Sequence, residues 1–181
     1  MQAYPLIAHP SCPPLQVNAV EARVGLDDPN WLRLRWRVEG AGQLVLPRIG
    51  SKKRADGLWQ TTCFELFLQP EGEEGYSEWN FSPSRSWNAY EFHGYRSGMR
   101  ESEVGRAPDG QIHAGYQYTL FDVAIPRSAL PDEPCAMALT AVLEEEGGVK
   151  SYWSIAHPPQ DKPDFHDPAC FATTLDPRIV K

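Results

Sequence analysis

The chain lacks any apolar run approaching the ~20 residues that a membrane-spanning helix requires. Positive charge is scarce as well: 17 Lys and Arg stand against 24 Asp and Glu, a net charge of -7. That balance argues against a nucleic-acid partner, because binding a phosphate backbone needs clustered basic side chains. Paired cysteines are absent: Cys12, Cys63, Cys135 and Cys170 are widely separated and form no CxxC motif. Four cysteines could form two disulfides outside the cell, but a domain of this size does not need them, and free thiols acting as small buried hydrophobes are the expectation. The N-terminal stretch MQAYPLIAHPSCPP has neither a positive leader nor a continuous apolar segment, so a cytoplasmic location is expected. No GxSxG elbow and no glycine-rich phosphate loop ahead of a helix is found.

What is present is punctuation. Seventeen prolines and fourteen glycines cut 181 residues into short segments, none with a long helical period. About ten short segments with strand character point to an all-β fold of two packed antiparallel sheets, a β-sandwich. A chain of this length forms one domain, here residues 1–181, and buries roughly 70% of the surface its unfolded form exposes. The clearest strand is Trp31 to Val38, where Leu32, Leu34, Trp36 and Val38 alternate with Arg33, Arg35 and Arg37. Further strands are expected at Leu15–Val24, Gln43–Leu46, Cys63–Gln69, Tyr76–Ser82, Trp87–His93, Tyr116–Ile125, Cys135–Leu143, Ser151–Ile155 and Phe171–Leu175. A helical turn fits Arg127–Leu130, between Pro126 and Pro131.

The segment Cys63-Phe64-Glu65-Leu66-Phe67-Leu68 carries a glutamate in an otherwise apolar run. Alternation puts Phe64, Leu66 and Leu68 on the core face and Glu65 on the other, beside Cys63 and Phe67. An antiparallel register with the next strand sets Phe64 against Phe81, Leu66 against Trp79, Glu65 against Asn80 and Phe67 against Glu78. In the third strand Tyr90 and Phe92 are the core candidates, which turns Trp87, Ala89 and Glu91 outward and sets Glu78 opposite Glu91. A carboxylate held among apolar neighbours needs partners. The outward face carrying Glu65, Glu78, Asn80 and Trp87 is therefore the candidate site.

The run Leu58-Trp59-Gln60-Thr61-Thr62-Cys63-Phe64-Glu65-Leu66-Phe67-Leu68, followed by Tyr76-Ser77-Glu78-Trp79-Asn80-Phe81-Ser82-Pro83, resembles the family 9 carbohydrate-binding modules. More closely, it resembles the bacterial DOMON-like domains related to them. Phe121–Pro126, Trp153 and Pro163–Phe171 are similar to later elements of that group, so the likeness runs from Leu15 to Leu175. The resemblance implies a jelly-roll β-sandwich that binds a small ligand, a sugar, without transforming it. Trp59 and Trp153 match the two tryptophans of a sugar-stacking slot, and Glu65 matches a carboxylate that grips hydroxyls. Indole stacks on the apolar face of a pyranose, and charge-assisted hydrogen bonds orient its hydroxyls. The chain departs from the family where Thr61 and Thr62 replace an acidic residue. Related DOMON domains bind haem through Met and His, but Met99 and Met137 do not fall at the expected positions, so no cofactor is implied.

Three other readings compete. Glu65 and Glu78 could serve as the acid pair of a glycoside hydrolase. The late loop gathers His157, Asp161, Asp164, His166 and Asp167, residue types that bind metals, although His-Pro and Asp-Pro pairs are also ordinary turn formers. A protein-interaction module without a small ligand is the third.

Overall fold

The strand Trp31–Glu39 buries alternate residues as its pattern demands. Leu32, Leu34, Trp36 and Val38 are at most 1% exposed. Arg33, Arg35 and Arg37 face outward and pair with Asp28, Asp122 and Glu39. The computed structural model describes residues 1–178, in which thirteen strands form and no α-helix occurs. In chain order they are β1 (Gln2–Ala8), β2 (Ala19–Gly25), β3 (Trp31–Glu39), β4 (Lys53–Arg54), β5 (Cys63–Pro70), β6 (Tyr76–Phe81) and β7 (Ser86–Phe92). There follow β8 (Arg100–Glu101), β9 (Asp109–His113), β10 (Tyr118–Pro126), β11 (Cys135–Glu145), β12 (Val149–Ser154) and β13 (Thr173–Leu175). A 3₁₀ turn at Arg127–Ala129 sits where the flanking prolines place it.

The all-β class holds, but the two expected sheets are joined. Hydrogen bonding runs along one path, β4-β7-β6-β5-β11-β12-β1-β2-β3-β10-β9. β1 makes the junction by changing partners: residues 2–6 pair with β2, then Ile7 and Ala8 pair with β12. The pairing of β4 with β7 is parallel, so the sheet is mixed and curled. Its two halves face one another across a common core. Trp36 and Phe121 from one half meet Phe64 from the other, with the Phe64 and Phe121 rings stacked at 4.6 Å. Each such side chain withdrawn from water contributes roughly 1.5–3 kcal/mol.

β5 and β6 pair in the register expected from alternation, with Glu65 opposite Asn80 and Phe67 opposite Glu78. β7 does not follow its expected parity. Phe81 opposes Trp87, Glu78 opposes Tyr90 and Ser77 opposes Glu91. The cause is the turn: Ser82 N–H donates to Ser86 C=O across three residues, and Arg85 takes φ 75°. A three-residue hairpin loop closed by a left-handed residue shifts the parity by one relative to an even loop. Glu91 therefore escapes Glu78 and pairs with Arg100.

The expected strand at Leu15 starts only at Ala19. The amides of Leu15, Gln16 and Val17 instead donate to the fully buried Glu145 carboxylate at 2.6, 2.6 and 3.0 Å. Gln43–Leu46 is no strand but a 3₁₀ turn at Ala41–Gln43 and a single bridge from Leu44 to Glu145. β1, β4, β8 and β9 carry too little buried apolar surface to announce themselves in the sequence.

Candidate functional site

All six residues from Cys63 to Leu68 are buried, so the outward face of β5 is not a solvent face. Phe67, Tyr76, Tyr90, Phe92, Ala138 and Val142 form a second apolar cluster there, capped by Phe165 and Cys170 from the late loop. Asp164 fastens that loop: it accepts from Arg96 Nη2 at 2.6 Å and from the Tyr95 hydroxyl. His166 Nδ1 lies 2.7 Å from the Tyr76 hydroxyl, and Cys170 Sγ donates to Asp164 C=O at 3.3 Å. Two loops, 93–99 and 157–171, thus roof this face of the sheet.

Beneath the roof lies a cavity of about 400 Å³. Its floor carries Glu65 and Glu78; its walls include Trp59, Phe67, Phe92, Tyr152 and Phe165; Arg96, Met99 and His166 border it. Trp59 is delivered by a 3₁₀ turn, Leu58–Gln60, that starts at Gly57 with φ 68°, a conformation favoured by glycine. The preceding Asp56 accepts from the Tyr90 hydroxyl at 2.6 Å and from Asn88 Nδ2 at 3.1 Å, so the turn is tied to β7. Trp59 meets the Tyr90 ring edge-on at 6.2 Å and stays 39% exposed. A second cavity, about 440 Å³, lies between β5–β7 and Ser128–Pro131, but Glu73 and Glu103 are exposed there and Glu91 is bound to Arg100. It holds no buried carboxyl pair.

Glu65 is 2% exposed and its Oε2 accepts from Thr140 Oγ1 at 2.9 Å. Burial, reinforced by the charge of Glu78, pushes its carboxyl up to about 8. Burial also raises Glu78, against the hydrogen bond that Asn80 Nδ2 donates to its Oε1 at 2.7 Å. His166 is driven down to about 4, first by burial and then by the Arg96 charge. Its 3.7 Å approach to Glu78 Oε2 is therefore not an ion pair in neutral solution. For Asp164 burial acts upward, yet the hydrogen bonds from Arg96 and Tyr95 prevail and hold it below the usual range.

Three sequence candidates, Trp59, Glu65 and Glu78, come together in the cavity. Asn80 is fully buried behind them and orients Glu78. Trp87 and Trp153 do not join. Trp87 stacks on Trp79 in the core between the sheet halves, and Arg54 lies over its ring at 4.4 Å. Trp153 opposes Ala141, which opposes Phe64, so it shares the inner face; its Nε1 donates to Ser151. The reading of Trp153 as the second slot tryptophan is corrected: its neighbour Tyr152 has the outward parity and lines the cavity. Arg96, Phe165 and His166 also line the cavity, and no sequence pattern marks them, because loop residues gain their place only through long-range contacts.

Of the late-loop acids and histidines, Asp164, His166 and Asp167 hold the roof together, Asp161 is exposed and His157 reaches β1. Asp167 accepts from Ala169 N–H at 2.9 Å, and His157 Nε2 lies 2.9 Å from Ile7 C=O. No group of three His, Cys, Asp or Glu side chains among the described residues is arranged to hold a metal ion. Met137 is fully buried in the main core, while Met99 is half-exposed at the cavity rim. The four cysteines are unpaired.

No family model matches the chain, and no curated protein matches it. Solved structures do. A proposed carbohydrate-binding protein from Bacteroides uniformis is 17% identical with a TM-score of 0.65, covering 96% of this chain and 85% of that one. A family 9 carbohydrate-binding module from Caldicellulosiruptor kristjanssonii, solved with cellotriose, is 11% identical with a TM-score of 0.50, covering 82% and 70%. The chain has the fold of these carbohydrate-binding proteins at low sequence identity.

Proposed function

We propose that this chain binds a small carbohydrate in the Trp59/Glu65/Glu78 cavity without transforming it. The carrying observation is that aromatic walls and two buried carboxyls meet in one roofed cavity of about 400 Å³. That size lies within the range of small-molecule sites, which are mostly apolar with a few convergent polar groups. Trp59 and Tyr152 offer ring surface to a sugar's C–H face, while Glu65 and Glu78 offer acceptors to its hydroxyls. The cellotriose held by the structurally similar module supports the ligand class.

The hydrolase reading has one observation in its favour, a carboxyl raised to about 8 beside a second acid that burial also raises. Against it, Glu65 and Glu78 project side by side from adjacent strands of one sheet face. A glycosidase needs its acids flanking the bond. Calorimetry with a panel of mono- and oligosaccharides tests the proposal. Binding that weakens about tenfold or more in Trp59→Ala supports it, since lost stacking is worth about 1–2 kcal/mol. No heat and no thermal stabilisation across the panel overturns it. Turnover of a chromogenic glycoside that disappears in Glu65→Gln favours the hydrolase instead.

A further inference from the structure

We propose that the Glu65–Glu78 cavity selects hydroxyl-bearing ligands that carry a protonated amine, the amino-sugar class, over their neutral counterparts. The inference deepens the binding function proposed above and rests on it for the location of the ligand.

It begins with unmatched oxygens. Glu65 Oε2 is taken by Thr140, but among the described residues no hydrogen bond reaches Oε1. Glu78 Oε1 is taken by Asn80, while the nearest cationic-type atom to its Oε2 is His166 Nε2 at 3.7 Å, outside hydrogen-bond reach. Two carboxyl oxygens from neighbouring strands are thus left for whatever enters the cavity they line.

The charges around them do not balance. From the two roof loops come Arg96, His166 and Asp164. Arg96 is ion-paired with Asp164 at 2.6 Å, its side chain half-exposed, and its charge also favours the Glu78 carboxylate, leaving Glu65 without a cation of its own; His166 is neutral above about pH 4. From β5, β6 and β7 come the Cys63 thiol, Tyr76 and Tyr90, all held in their neutral forms by burial. β11 contributes the uncharged Thr140, and β12 contributes Tyr152, whose hydroxyl burial also keeps neutral. No second cation among the cavity's described neighbours answers two carboxylates, so burial keeps a proton on the pair.

A neutral sugar can satisfy the hydrogen bonds of these oxygens but not their charge. An ammonium does both: it brings three donors and a compact positive charge. Buried carboxylates with an opposite charge at hand become favourable where alone they are costly. The faces of Trp59 and Tyr152 add attraction for a cation. Binding is then an exchange: the Glu65 carboxyl releases its proton to solvent as the ammonium takes its place, and no other bond changes.

Isothermal titration calorimetry on the full chain at pH 7 tests this, in two buffers of different ionisation enthalpy. The probes are glucosamine, galactosamine and mannosamine, each against its neutral parent and its N-acetyl derivative, with ethanolamine as an amine lacking the ring. At least one amino sugar is expected to bind about tenfold tighter than its neutral parent, with the gain lost on N-acetylation. The buffer dependence is expected to show up to about one proton released per amine bound. Glu65→Gln, close in side-chain size and checked for folding by circular dichroism, is expected to bring the amino sugar and its parent to similar affinity.

If amino and neutral sugars of every pair bind within about twofold of each other, this proposal falls and the carbohydrate function stands. If ethanolamine binds with proton release while no sugar does, both the amino-sugar proposal and the carbohydrate function fall, and the cavity is a site for small amines instead. If none of the probes binds, both fall.

Discussion

β3 and β5 each turn alternate residues away from the core between the two sheet halves, and the two outward rows meet different fates. On β3 the row is Arg33, Arg35 and Arg37, whose side chains are 41–49% exposed and directly ion-paired at the surface. On β5 the row is Cys63, Glu65 and Phe67, none more than 2% exposed. The same period-two pattern makes a solvent face in one place and a second interior in the other. What differs is the chain laid over it: no loop among the described residues roofs the arginines, while 93–99 and 157–171 close over Glu65. A carboxylate in such a place must be satisfied from within, and that is where a ligand gains most from meeting it.

The comparison breaks most visibly at its apolar member. Phe67→Ala is expected to cost about 3–5 kcal/mol in denaturant unfolding, as for a core aromatic, because it opens a void among Tyr76, His166 and Phe171. A cost below about 1 kcal/mol would mean that this face is not an interior.

Next comes the pH dependence at Glu65. Folding raises its carboxyl from about 4.5 to about 8, so between those values the folded chain holds a proton that the unfolded chain has released. Stability carried by this group is complete below the unfolded value and falls as pH rises through the window. Glu65→Gln is expected to flatten that part of the stability profile, measured as unfolding free energy at a series of pH values. An unchanged slope would place the proton elsewhere.

A smaller effect is expected for the clasp. Arg96→Ala removes the partly exposed Arg96–Asp164 pair and is expected to cost about 1 kcal/mol or less globally. Amide exchange should accelerate in 157–171 more than in β5, because the roof opens locally before the sheet does. Arg35→Ala closes the series. Its pair with Asp122 lies on the open face, and a change of about 0.2–1 kcal/mol that shrinks further in high salt is expected.

Much of this contrast was legible in the chain. Glu65 belongs to the outward row of β5, and the β5–β6 register follows from matching Phe64, Leu66 and Leu68 to Ser77, Trp79 and Phe81. Beyond the hairpin the legibility ends. The parity of β7 depends on Arg85 adopting a left-handed conformation in a three-residue loop, a choice that Pro-Ser-Arg does not announce as glycine or asparagine would. Tyr152 and Trp153 pose the same problem. Either could face the site, and only the pairing of Ala141 with both Phe64 and Trp153 decides for Tyr152.

The sequence by itself determined the all-β class, the buried and outward rows of β3 and β5, and the meeting of Glu65 with Asn80 and Phe67 with Glu78. These are local consequences of alternation and of a single short connection. Tertiary structure alone decided that β1 joins the two sheet halves, that Glu145 gathers the amides before β2, and that two distant loops roof Glu65 and Glu78. Those outcomes depend on contacts between residues tens of positions apart. A period-two pattern states which side a residue faces but not what lies on that side.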